Sequence, residues 1–118
     1  MSVENREAAG LVLLWISGDR EAALHMVLMY ARNARLKGWW ERVHLLVWGP
    51  SAALLASDRE VQAEVAGCIE AGVAVFACRA CAARYGVAER LAEQGVTVLY
   101  AGEPLTRYLK EGWKVLSI

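Results

Sequence analysis

Short runs of consecutive apolar residues, separated by longer helical stretches, limit what this chain can fold into. Residues 11–17 (LVLLWIS), 43–48 (VHLLVW), 73–77 (VAVFA), 96–100 (VTVLY) and 113–118 (WKVLSI) each read as a strand. The first run is apolar throughout rather than alternating, as expected of a strand covered on both faces. Residues 19–37 predict a helix that Gly38 can end, and Ser51 is placed to cap a short helix over 52–56. Ser57-Asp58-Arg59-Glu60 has capping-box spacing, and the helix after it puts Val61, Val65, Cys68 and Ile69 on one face before Gly72. Further helical turns over 79–85 and 88–94 end at Gly86 and Gly95, and 104–110 reads as a short helix. Strands alternating with helices predict right-handed βαβ units. The expected fold is α/β: a three-layer α/β/α sandwich around a five-stranded, mostly parallel sheet.

The 118 residues suit a single domain over 1–118, long enough to bury one core. Thirteen basic residues balance thirteen acidic ones, so the basic excess of a dedicated nucleic-acid binder is missing, and little net charge keeps copies apart. The longest apolar run, 8–16, falls short of the roughly 20 residues a membrane-spanning helix needs. Glu4, Arg6 and Glu7 precede it where a signal peptide would carry a basic segment. Three cysteines are too few, and odd in number, for a disulfide scaffold, which favours a reducing cytoplasm. Neither GxGxxG nor GxxxxGK[ST] occurs, so no nucleotide cofactor is expected.

In parallel sheets, sites form at the carboxyl ends of the strands. Those ends are Ser17-Gly18-Asp19, Trp48-Gly49-Pro50-Ser51, Cys78-Arg79-Ala80-Cys81 and Ala101-Gly102-Glu103. The cysteine segment is the sharpest of them. Cys78 follows a strand and opens a helix, where N–H groups and the helix dipole favour a thiolate. Arg79 and Arg84 add positive charge, and Cys81 lies one turn on, within reach for disulfide formation or sulfur transfer. The competing readings are two small residues filling a helix–sheet contact, half of a zinc site that lacks its other ligands, and a dithiol redox pair. Ser17, Gly18 and Asp19 offer N–H groups to an anion or simply turn the chain and cap the helix.

Cys68 reads as a core residue, and His25 shares a face with Glu21, Arg32 and Arg35 that suits solvent or an interface. His44 lies within a strand and can project to either face; neither histidine has catalytic spacing. Trp39 and Trp40 follow the first helix, and Leu28 falls in its polar stripe. Such groups mark a subunit contact or fold back on the core. Trp15, Trp48 and Tyr100 sit near strand ends, where they are expected to wall an apolar pocket beside Cys78.

The whole pattern resembles the DsrE/DsrF-like superfamily, which includes sulfur-relay subunits and YchN-like proteins. Most weight falls on VAVFACRACAARYGV, residues 73–87. Similar proteins have a cysteine after the third strand and a glycine eight residues later, matched by Cys78 and Gly86. Some YchN-like members have a second cysteine, matched by Cys81. The opening LVLLWISGDREAALHMVLMYARNARLKG and the closing GVTVLYAGEPLTRYLKEGWKVLSI resemble the family as well. The resemblance implies a five-stranded parallel sheet and assembly as homo- or hetero-oligomers, often trimers or hexamers. In relay members the matching cysteine carries sulfur as a persulfide between a donor and an acceptor protein. It implies a sulfur carrier using Cys78, with Cys81 as a second thiol, in the cytoplasm that the cysteine count favours; charge balance and apolar-run length give neither nucleic acid nor membrane as an expected partner. The alternative is a small oligomeric ligand- or protein-binding module without covalent chemistry.

Overall fold

The computed structural model describes residues 10–118; Glu4, Arg6, Glu7 and the start of the apolar run at Ala8 lie outside the described residues. Five strands form one parallel sheet: β1 (Leu11–Trp15), β2 (Val43–Val47), β3 (Ala74–Cys78), β4 (Thr97–Leu99) and β5 (Lys114–Ser117). Their spatial order is β4-β3-β2-β1-β5. The helices are α1 (residues 20–36), α2 (Pro50–Ser57), α3 (Arg59–Ala71), α4 (Arg79–Tyr85), α5 (Ala88–Glu93) and α6 (Gly102–Lys110). The chain steps across the sheet from β1 to β4, and α6 then carries it back to the far side of β1. The result is the expected three-layer α/β/α sandwich.

The two faces of the sheet are unequally covered. Leu11, Leu13, Trp15, Val43, Leu45, Val47, Val75 and Ala77 point into the larger core, where α1 to α5 pack. Alternation sends Val12, Leu46, Phe76 and Cys78 to the other face. Leu105 and Tyr108 of α6 cover that face, with Trp113 just before β5. One helix spans too little width to bury a five-stranded sheet, so Leu14, His44, Phe76 and Leu99 there stay only partly buried.

Helix α1 departs from the sequence reading. Residues Ala23–Val27 form a π-helical turn between the α-helical pieces Arg20–Ala22 and Leu28–Leu36. One extra residue in a turn rotates everything after it by about 100°. Leu28, expected in the polar stripe, is therefore fully buried beside Val27, Ala31 and Ala34. Trp40 folds back onto the core and its Nε1 donates to the Tyr30 hydroxyl at 3.4 Å, whereas Trp39 stays 56% exposed. His25 is exposed and pairs with Glu21 at 3.4 Å.

Two caps also differ. Asp58, not Ser57, caps α3 by accepting from the Val61 N–H at 3.0 Å. Ser57 belongs to α2 and donates to the Ala53 carbonyl. Ser51 does not cap α2, which starts one residue earlier at Pro50, a ring suited to the first helical position. Ser51 is buried, and its hydroxyl donates to the Trp15 carbonyl at 2.6 Å, tying α2 to the end of β1.

At the opposite end of β1, Gly10 marks a close approach. A Cβ there would stand 2.5 Å from the Arg42 carbonyl oxygen and 2.9 Å from a Trp113 ring carbon. The same Arg42 carbonyl accepts from the Leu11 N–H, so neither strand can shift without losing that bond. Gly10→Ala is expected to lower the melting temperature by roughly 5–15 °C, the effect of overpacking worth about 1–3 kcal/mol. A thermal melt by circular dichroism checks this.

Candidate functional site

The carboxyl edge of the sheet holds the candidate site. Parallel open sheets bind ligands where the strand order reverses, here between β1 and β5. That crevice is bridged by backbone: the N–H groups of Ile16 and Ser17 both donate to the Ile118 carbonyl, at 2.7 and 3.1 Å. The cysteine pair sits further along the edge, at the end of β3 between the ends of β2 and β4.

Cys78 is both the last residue of β3 and the N-cap position of α4, with an extended backbone (φ −69°, ψ 120°). Its side chain shares the α6 face with Phe76, and the residue is 4% exposed. Burial alone would push its thiol up, but the N–H groups of Cys81, Ala101 and Ala80 face the sulfur, and the Cys81 thiol donates to it. Together they hold Cys78 below the ordinary thiol range. None of these N–H groups closes the short cap hydrogen bond that Asp58 makes with Val61; they act on the sulfur as partial positive charges. Helix α4 is only seven residues long, so local N–H groups rather than a macrodipole dominate.

Cys81 is half-buried and shifts the other way. Burial pushes it up, and the neighbouring Cys78 sulfur raises it further; the Gly49 N–H and the Arg84 charge oppose both. The pair therefore divides its roles: Cys78 gives up its proton first, and Cys81 keeps its own and donates it to the Cys78 sulfur. Cys68 stands apart. It is buried in the larger core, its thiol donates to the Leu28 carbonyl at 3.4 Å, and burial, with Glu64 nearby, pushes it up to about 12.

Of the residues singled out from the sequence, Cys78, Cys81 and Gly49 come together, and Trp48 packs onto the same apolar cluster. Trp15 does not join them: it points to the opposite face and is fully buried, its Nε1 without a hydrogen-bond partner among the described residues. Alternation along β1 decides this, because Val12 and Leu14, not Leu13 and Trp15, share the Cys78 face. Arg79 turns outward, donating to the Val98 carbonyl at 3.2 Å with its guanidinium 5.8 Å from the Tyr100 ring centroid. Tyr100 is 70% exposed. Ser17, Gly18 and Asp19 form a self-contained helix cap: the Ser17 hydroxyl accepts from the Asp19 N–H, and the Asp19 carboxylate accepts from Glu21 and Ala22. Sequence reasoning placed Ala101 among the strand ends but gave its N–H no part beside Cys78; the structure assigns that part.

The model of the DsrE/DsrF-like family matches residues 15–118. The chain belongs to the DsrE/DsrF-like family. Among solved structures it is similar to BT1422, a conserved protein of unknown function from Bacteroides thetaiotaomicron, at 40% identity and a TM-score of 0.89. That match covers 92% of this chain and 93% of the other. MTH1491 from Methanobacterium thermoautotrophicum, also of unknown function, is 23% identical with a TM-score of 0.73, over 92% of this chain and 98% of its own. The ychN protein of E. coli is 16% identical with a TM-score of 0.74, over 93% and 99%. The last two likenesses establish the fold. No curated protein matches the chain. Among the described residues, no helix is long and apolar enough to cross a membrane.

If backbone N–H groups hold the Cys78 thiolate, removing one must weaken it. Ala80 lies in the first turn of α4, where proline is tolerated. Ala80→Pro is expected to move the alkylation of Cys78 to higher pH and slow it several-fold at neutral pH, with the circular dichroism spectrum unchanged. Peptide-level mass spectrometry after timed iodoacetamide treatment reads this, and Cys68 stays unmodified in the folded protein throughout.

Proposed function

We propose that this protein is a cytoplasmic sulfur carrier that holds a sulfane sulfur as a persulfide on Cys78. The observation that carries the reading is the convergence of N–H groups from α4 and from Ala101 on the Cys78 sulfur, next to a second thiol. Membership of a family that includes sulfur-relay proteins supports it.

The chemistry asks for a nucleophile that is ionised at neutral pH and also a good leaving group, and a thiol of lowered pKa is both. In loading, the Cys78 thiolate attacks the outer sulfur of a donor persulfide. The donor's S–S bond breaks, a new S–S bond forms on Cys78, and the donor leaves as a thiolate. In delivery, an acceptor thiolate attacks the outer sulfur, and Cys78 leaves as the thiolate its N–H groups stabilise. No net oxidation occurs in either step.

Cys81 has two uses. As a donor to the Cys78 sulfur it supports the anion. When deprotonated, it can attack the inner sulfur of the Cys78 persulfide, closing a Cys78–Cys81 disulfide and releasing hydrosulfide. That route reduces the sulfane sulfur and oxidises the two cysteines, and the raised Cys81 pKa keeps it slow at neutral pH. Because Cys78 is 4% exposed and Cys81 half-buried, a donor approaches over Cys81. Homo-oligomers, trimers or hexamers, are part of this proposal, with separate donor and acceptor proteins.

Intact-mass spectrometry after incubation with glutathione persulfide tests it. The parent and Cys81→Ser are expected to gain the mass of one sulfur atom, and Cys78→Ser is expected to gain nothing. No gain in the parent, or an equal gain in Cys78→Ser, would overturn the proposal.

A further inference from the structure

Helix α6 and the sheet beneath it enclose a second concave site. A cavity of about 260 Å³ opens between them, lined by Tyr108 from α6 and by His44, Leu46, Phe76 and Leu99 from the sheet. Three rings surround the His44 imidazole. Trp113, Phe76 and Tyr108 have centroids 4.7, 5.4 and 5.6 Å from it, and Tyr108 and Trp113 lie 4.8 Å from each other.

Two polar side chains among these rings act as a unit. His44 Nδ1 and the Tyr108 hydroxyl are 2.7 Å apart. Burial, and then the Arg42 charge, push His44 down to about 4, and burial pushes Tyr108 up, so both are neutral at pH 7. A neutral imidazole and a phenol have two protons between them, and their mutual bond uses one. If the phenol donates to Nδ1, Nε2 keeps its N–H and the phenol oxygen still accepts. In the other tautomer Nδ1 donates, the hydroxyl proton is spare and Nε2 accepts. Either way the pair keeps one donor and one acceptor. Nε2 has no hydrogen-bond partner among the described residues, yet it is not sealed from solvent.

The charged groups at the rim do not select an ion. Arg107 stands 3.5 Å from Glu103, Arg42 holds its guanidinium 4.8 Å over the Trp113 ring, and Glu111 adds the opposite sign to the lining. Desolvation, the larger cause of the low His44 value, penalises an anion as it does a cation.

We propose that this cavity binds a small neutral ring compound carrying an amide: one planar ring with a carbonyl and an N–H attached to it or built into it. The ring lies among Phe76, Tyr108 and Trp113, and the amide meets the spare donor and acceptor of the His44–Tyr108 pair. Flat aromatic walls favour a flat ligand. The volume falls just under the roughly 300–1,000 Å³ of drug-sized sites, which suits one ring and excludes a dinucleotide. An amide matches the pair in either tautomer, whereas a hydrocarbon ring would leave both spare groups without a partner. Nothing in this binding requires Cys78, so it stands independently of sulfur transfer.

Benzamide is the probe, with benzoate and benzylamine as its anionic and cationic counterparts. Each is titrated into the full chain while the His44 and Trp113 side-chain signals are followed by NMR. Benzamide is expected to shift both signals saturably, with a dissociation constant on the order of 1 mM, the range open to so small a molecule. Benzoate and benzylamine are expected to bind about tenfold more weakly or worse. Tyr108→Phe keeps the ring and removes the hydroxyl; it is expected to weaken benzamide several-fold with the circular dichroism spectrum unchanged. The proposal fails if millimolar benzamide leaves both signals unmoved, if either charged counterpart binds equally well, or if folded Tyr108→Phe binds benzamide as the parent does. It also fails if the signals respond to protein concentration and not to benzamide, which would make this face a contact between copies.

Discussion

Three backbone N–H groups from two separate segments converge on one sulfur, and the carboxyl edge of the sheet is arranged around that meeting. Ala80 and Cys81 contribute theirs because β3 passes into α4 without an intervening loop. Ala101 contributes its own because β4 pairs with β3 in a register that sets Leu99 beside Cys78. A longer connection after β3, or a slip of β4 by one residue, would take those groups away and leave a buried thiol whose pKa rises, as that of Cys68 does. The contrast between these cysteines is a contrast of neighbours: at Cys78 several converging N–H groups outweigh burial, whereas at Cys68 the Arg32 N–H and charge do not outweigh burial and Glu64.

The uneven cover of the sheet gives the molecule its other character. Five helices seal one face, and among the described residues the buried side chains of the larger core include one ionisable group, the Cys68 thiol. A single helix leaves the other face half-open, and several of the groups there are amphipathic: His44, Tyr108, Trp113 and Trp48. Rings with one polar atom tolerate this boundary, because the ring packs while the heteroatom finds a partner or solvent. Cys78 lies on this thinner side at one end of the strands, and the His44–Tyr108 pair lies near the other.

Much of this was legible in the sequence, for identifiable reasons. Continuous apolar runs and glycines placed to end helices give the strand–helix order directly, and Gly38, Gly72, Gly86 and Gly95 do stand at positive φ after their helices. The place of Cys78 followed from counting to the end of the third strand. What escaped depends on contacts between distant residues. Leu28 changed sides because a π turn resets the helical phase, and no periodicity calculation anticipates the extra residue. Trp15 and Cys78 point to opposite faces, which alternation gives only when the registers of the strands between them are known. His44 and Tyr108 are 64 residues apart, so the pair exists only once α6 crosses the sheet.

The central claim is that the fold, rather than the cysteine itself, makes Cys78 the acidic thiol. A pH titration of the folded protein, with carbon-13 at each cysteine Cβ, measures this residue by residue. The first proton lost by the coupled pair should come from Cys78, below the ordinary thiol value of about 8.5, with Cys81 following above it and Cys68 unchanged over the same range. If Cys78 titrates at or above the ordinary value, or if Cys81 ionises first, the N–H groups around the sulfur do not govern its charge and the account is wrong.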